Sequence, residues 1–447
     1  MASWSHDEQD FFIHHSSFIV VFLFLVGACG QPQKKPFSNP RLYADPPPAA
    51  SPARPAASAP TPSGPAPAAA SGWTQSVAER AIAGQPGLRE SVWTSARPPH
   101  GQHDYIAVHR IRSVAAPSDA ARSVFFFLPG SHHHGEVVVA DERYDLRLYL
   151  AQRGIETWTL DYRTHFITRE QIFESGFMQG WTAQVFIEDA AAAADFVRQA
   201  SGVQKLFVGG YSRGATFAAL MAARYSRQDV LGLALLDGYA LEPPEARAIY
   251  RERPETPTWF ADDLERRYVP YRRWIKMLQD TLAEPDGPDF MPVHLFENRA
   301  EMLKHFLFVS PTYGQQGGLS NAKGGYADIL VLARIFLHQD RYWPRVQNHG
   351  GFELQRHLAD TQFDYAAALR ALTMPVIAFA SSNMDKAGIG WARRVEYTAR
   401  ATASRDVEYS LLQDWGHLDV LLGTAAAQQV FAPLADWIDQ HTPASSP

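Results

Sequence analysis

The chain has 447 residues, 46% of them apolar and 20% charged, with a formal net charge of −6. This composition supplies a large globular core, and the lack of any long Lys/Arg block argues against nucleic acid as a partner. A single cysteine, Cys29, excludes an intrachain disulfide.

In chain order, the first feature is an apolar run of 11 residues, Phe18 to Ala28 (FIVVFLFLVGA). It is short for a membrane span and suits the core of a signal peptide. It ends Val26-Gly27-Ala28-Cys29, which resembles a bacterial lipobox. That resemblance implies a signal peptide over 1–29, a lipid anchor on Cys29 and a place in the cell envelope outside the cytoplasm. Residues 1–17 depart from the pattern, with no Lys or Arg and with Asp7, Glu8 and Asp10. Of the 29 residues from Ala44 to Gly72, nine are Pro and eleven Ala, too few large apolar groups to fold. Residues 30–72 therefore read as a disordered linker, whose Pro/Ala-rich segment 44–72 could span about 90 Å at roughly 3.1 Å per residue. The folded domain is expected over 73–447.

Within it, strands and helices alternate. Glu90–Ser95 and Tyr105–Ile111 read as an opening pair of strands, followed by strands at Ser123–Leu128, Ile155–Leu160, 205–209, Val230–Leu236, Pro375–Ala380 and Val407–Leu411. Arg143–Arg153, Asp189–Ala200, the stretch after Ser212, Trp391–Arg400 and Ala425–Gln440 read as helices. This order predicts an α/β fold with a mostly parallel sheet and helices on both faces. Ligands of such sheets bind beyond the carboxyl ends of the strands. Those ends carry Gly130-Ser131-His132, Asp161-Tyr162-Arg163, Ser212, Asp237, Asp385 and His417.

Gly210-Tyr211-Ser212-Arg213-Gly214 stands between an apolar strand and a helix without Gly or Pro. A serine between two glycines at such a corner is the arrangement a hydroxyl nucleophile needs. Ser212 is therefore the candidate nucleophile of a serine hydrolase, and it needs a base to take its proton. His417, in a Gly-His turn after the last strand, is the candidate base.

The chain resembles the α/β-hydrolases over roughly 89–240 and 373–441. The resemblance is carried by LPG at 128–130, DYRTH at 161–165, GYSRG at 210–214, SSNMD at 381–385 and WGHLDVLLG at 415–423. It implies a triad in the order Ser212, Asp385, His417, with Asp237 as the alternative acid. It also implies an oxyanion hole from the amide of Arg213 and that of Ser131 or His132, and a DYRTH loop that braces the site without doing chemistry. Asp419 is expected to support the His417 loop by hydrogen bonding.

Residues 238–372 exceed what one crossover requires, and the resemblance implies a cap over the nucleophile. The expected substrate is a carboxylic ester of lipid, aryl or polyester type, cleaved through an acyl-enzyme. An aminopeptidase-like reading would use Glu252, Glu255, Asp262, Asp263 or Glu265 to hold an α-amino group, and a binding protein without activity is a third reading. No cofactor is expected. Nor is a metal, because His132-His133-His134 cannot all converge on one ion without an unusual backbone.

Overall fold

The computed structural model describes residues 72–115, 123–130, 133–167, 180–225, 228–244, 275–290, 294–308, 327–338, 363–384 and 390–443. The expected signal peptide with Cys29 and the linker up to residue 71 lie outside these residues. So do Ser131, His132, Asp385 and the carboxylates Glu252, Glu255, Asp262, Asp263 and Glu265. Among the described residues no helix is long and apolar enough to cross a membrane.

The described residues include nine strands: β1 (Trp73–Ile82), β2 (Gln85–Ala96), β3 (Tyr105–Ser113), β4 (Val124–Leu128), β5 (Glu156–Asp161), β6 (Leu206–Tyr211), β7 (Val230–Leu236), β8 (Val376–Ser381) and β9 (Val407–Leu412). They form one sheet in the order β1-β2-β3-β5-β4-β6-β7-β8-β9. The pairs from β1 through β3 to β5 are antiparallel, and every pair from β5 to β9 is parallel. The central strands read as unbroken apolar runs because helices cover both sheet faces. Side chains alternate across the sheet: Phe126, Leu128, Leu233 and Leu235 enter one apolar cluster, and Phe125, Phe127, Ala234 and Leu236 enter the other.

The helices divide the same way. Here α1 is Leu146–Gln152, α2 Ala183–Ser201, α3 Arg213–Arg224, α4 Arg299–Phe308, α5 Ile329–His338, α6 Tyr365–Arg370, α7 Trp391–Arg400, α8 Asp419–Leu422 and α9 Ala432–His441. The first cluster takes apolar residues of α2, α3, α6 and α7. The second takes those of α1, α8 and α9 together with Met277, Met302, Leu332 and Phe336 from the stretch between β7 and β8. That stretch is also bridged to the loop after His417, through Ala327 and Gly423.

β1 is the strand the sequence did not announce. Its residues TQSVAERA are mostly exposed and show neither an apolar run nor clean alternation. It is an edge strand, where charged side chains are common because they blunt pairing with other chains. A chain of charges that runs from exposed Arg80 to buried Glu90, His109 and Asp161 ties this edge inward. Arg80 Nη2 donates to Glu90 Oε2 at 2.6 Å, and the two ring nitrogens of His109 meet Glu90 Oε1 and Asp161 Oδ2 at 2.9 Å each. Burial by itself would lower the His109 pKa, but the Asp161 and Glu90 carboxylates raise it to about 9. The imidazolium therefore donates at both nitrogens and links β2, β3 and β5. Replacing it leaves two buried carboxylates facing each other. His109→Leu is expected to destabilise the fold by about 3–5 kcal/mol in urea denaturation. Arg112→Ala, which breaks an exposed pair with Glu79, should cost less than about 1 kcal/mol in the same measurement.

Candidate active site

The site begins at the corner between β6 and α3. Ser212 stands there with φ 55° and ψ −124°, outside the helical region, and Arg213 opens the helix. A positive φ on serine is costly, of order 1–3 kcal/mol, and persists only where the surroundings enforce it. They do so by close packing. A Cβ on Gly210 would overlap the Gly214 backbone, one on Gly214 would overlap the carbonyl oxygens of Leu128 and Pro129, and one on Gly238 would overlap Ser212 O. The Ser212 N–H donates to Leu236 O at 2.9 Å, which fastens the corner to the end of β7. Ser212 is itself half-buried, while its neighbours Tyr211 and Arg213 are buried.

Strand register then chooses the neighbour of Ser212. β6 and β7 run parallel with Tyr211 opposite Leu236, so the next residue of each strand, Ser212 and Asp237, comes out side by side at the carboxyl edge. Asp237 is fully buried and has φ +47°. Its Oδ1 accepts from Ser381 N at 2.8 Å and Trp391 Nε1 at 3.1 Å. Its Oδ2 accepts from Ser381 Oγ and from His417 Nδ1, each at 2.6 Å. A buried carboxylate with four donors is an acceptor only, so His417 Nδ1 carries the proton of this bond and Nε2 is the ring nitrogen not engaged by Asp237.

Aromatic rings hold the histidine on two sides. Tyr211 stacks on it at 4.8 Å with an interplanar angle of 24°, and Trp391 meets it edge-on at 5.4 Å. The Tyr211 hydroxyl donates to His417 O at 2.8 Å; burial pushes its pKa well above the usual value, so it remains a donor. The His417 loop is further tied by Asp419 Oδ2, which accepts from Gly416 N at 2.7 Å, as expected of Asp419. The 381–385 turn contributes as well. Asn383 N donates to Trp415 O at 3.0 Å and Asn383 Nδ2 to Asp414 O at 2.9 Å.

The carboxylate that pairs with His417 is thus Asp237, which the sequence reading held as the alternative; Asp385 lies outside the described residues. Among the candidate oxyanion donors, Arg213 opens α3, in the turn whose N–H groups have no intrahelical acceptor. Ser131 and His132 lie outside the described residues. Gly130, which precedes them, packs against the corner, since a Cβ on it would lie 3.3 Å from Ser212 Cβ. The DYRTH segment braces that turn. Tyr162 Oη donates to Pro129 O at 3.0 Å, Gly135 N donates to Asp161, and Arg163 is clamped by Asp104 and Asp189. Tyr211, Ser381 and Trp391 are contacts sequence reasoning missed. Tyr211 stands inside the serine motif and Ser381 ends a strand, so both were visible in principle. Trp391 offered no signal beyond its place in a helix.

Two of the three consecutive histidines are described, and they diverge. His133 stacks on Tyr211 at 5.4 Å, and His134 turns toward Asp161 and His165. Beside them a pocket is lined by Phe127, Pro129, Val138, Ile335 and Leu421 along with His133 and His134.

A family model described as the alpha/beta hydrolase fold matches residues 133–275. Among solved structures, the chain is similar to a lipase candidate from Sulfolobus solfataricus at 23% identity and TM-score 0.62, over 82% of this chain and 99% of that one. It is also similar to a thermophilic esterase from Thermogutta terrifontis (15% identity, TM-score 0.40, 77% and 97% covered). A monoglyceride lipase variant from Saccharomyces cerevisiae shows 15% identity and TM-score 0.37, with 83% and 96% covered. No curated protein matches.

Gly214→Ala pushes a methyl group into two backbone carbonyls, which cannot yield as a side chain can. It is expected to lower stability by at least about 2 kcal/mol in thermal denaturation. Gly130→Ala meets first the edge of the Tyr211 ring, at 3.0 Å, and should cost less. The sheet order, the helices on both faces, the matching family model and the structural likeness together show that this chain has the α/β-hydrolase fold.

Proposed function

We propose that the protein is a serine hydrolase that cleaves a carboxylic ester through an acyl-enzyme. The observation that carries this reading is the 2.6 Å hydrogen bond from His417 Nδ1 to Asp237, formed beside a serine held at positive φ on a strand-to-helix corner. In this reading His417 Nε2 takes the Ser212 proton as Oγ attacks the carbonyl carbon, then returns it to the leaving alkoxide. Asp237 holds the tautomer and stabilises the imidazolium that forms. The Arg213 amide and one from the turn after Gly130 stabilise the oxyanion. Water, activated by the same histidine, releases the acid. Asp237 replaces Asp385 as the proposed acid because it already makes the bond the role demands.

An ester with an apolar acyl group agrees with the Phe127, Val138, Ile335 and Leu421 pocket beside the bracing turn. The likeness to a lipase candidate agrees as well. The stretch 238–372 is proposed as a cap, and Cys29 as a lipid anchor that holds the enzyme at the cell envelope.

A fluorophosphonate probe should label the purified protein at Ser212, and Ser212→Ala should abolish labelling and turnover while leaving thermal denaturation unchanged. Failure of the folded wild type to label removes the enzymatic reading. Asp237→Asn should lower kcat by roughly three to four orders of magnitude, the scale on which a lost tautomer lock acts, and Asp385→Asn by less than about tenfold. The reverse order reinstates Asp385. Hydrolysis of p-nitrophenyl esters but not of aminoacyl-anilides is expected, and the opposite preference would select the peptidase reading.

A further inference from the structure

We propose that His134, Asp161 and His165 form a binding site for one zinc ion beside the segment after β4, with Glu136, next to His165, recruited as the fourth ligand. The ligand atoms of His134, Asp161 and His165 all lie within 4.8 Å of one another. His165 Nε2 stands 3.6 Å from Asp161 Oδ2 and 3.5 Å from Glu136 Oε1. His165 and Glu136 attract each other at this range, which holds both groups beside Asp161. The two separations are close to the roughly 3.3 Å edge of a tetrahedron with metal–ligand bonds of about 2.0–2.1 Å. Two imidazoles and a carboxylate are a donor set that suits Zn²⁺, and the Glu136 carboxylate beside His165 can complete it by turning inward.

The surroundings have the form of an outer coordination shell. His134 Nε2 meets the carbonyl of His338, which leaves Nδ1 as its ligand atom. Nδ1 now accepts from Glu136 N at 3.1 Å, and that bond yields when the ion binds. The Asp161 carboxylate is oriented by His109 Nε2 at 2.9 Å and by Gly135 N, so Oδ2 has one lone pair engaged and one for the metal. Since the His165–Asp161 pair is already near the required separation, closure falls to His134 and Glu136. A path for the ion exists: the Glu136 side chain is 50% exposed, and His134 and Glu136 both line the pocket.

The ligands come from three places: the turn after β4 (His134, Glu136), the end of β5 (Asp161) and the 3-10 turn Arg163–Phe166 (His165). The His338 carbonyl belongs to the last residue of α5, in the stretch between β7 and β8. A bound ion would cross-link the covering turn, the sheet edge and that helix. Its role is structural.

The test uses the full chain, stripped with EDTA, incubated with Zn²⁺ and passed through gel filtration before metal analysis. About one zinc per chain should be retained, and its binding should raise the melting temperature. His165→Ala changes a partly exposed side chain and should fold; it is expected to lose both the zinc and the rise. Glu136→Gln should weaken affinity by about tenfold or more. Co²⁺ in place of zinc should give the visible absorption bands of a tetrahedral N/O site in the wild type alone. Retention below about 0.2 zinc per wild-type chain, or equal retention by a folded His165→Ala protein, overturns the site.

Discussion

Everything in the proposed site depends on how tightly the β6–α3 corner is packed. Gly210, Gly214 and Gly238 are each in contact with backbone where a side chain would stand, so helix, covering turn and β7 close on Ser212 together. That compression holds Ser212 at positive φ and leaves its side chain half-buried among buried neighbours. The parallel register of β6 and β7 then sets Asp237 beside it. One constraint thus fixes where the hydroxyl stands and which carboxylate is next to it.

Two buried carboxylates at strand ends divide the remaining work. Asp237, after β7, gathers four donors and fixes the orientation of His417. Asp161, ending β5, accepts from Gly135 N in the segment after β4 and shares His109 with Glu90. Burying either charge is tolerable only because both oxygens of each carboxylate accept hydrogen bonds. The same bonds hold both positions rigid, as the proposed roles of His417 and of the turn after β4 require.

The sheet, the helices on both faces and the corner at Ser212 were legible because apolar runs, their lengths and the glycine spacing encode them directly. β1 was not, since an exposed edge strand needs no apolar pattern. The acid was the harder matter. Asp237 and Asp385 both follow strands in sequence, and the choice turns on the register of neighbouring strands, a non-local property. The histidine run shows the same limit. Its members cannot all converge, but His134 finds Asp161 and His165 far along the chain, a meeting no local spacing records. Tyr211 could have been read from its place in the serine motif, whereas the Trp391 bond to Asp237 spans 154 residues of chain.

The central claim is that Ser212 forms a covalent acyl intermediate with His417 and Asp237 behind it. Rapid quenching of the enzyme with a p-nitrophenyl ester, followed by peptide mass spectrometry, tests it most directly. The account predicts an acyl adduct on the peptide containing Ser212, appearing with the first equivalent of p-nitrophenol and vanishing as substrate is exhausted. Turnover with no adduct under conditions where deacylation is slowed, or an adduct that resides on a different residue, would contradict it.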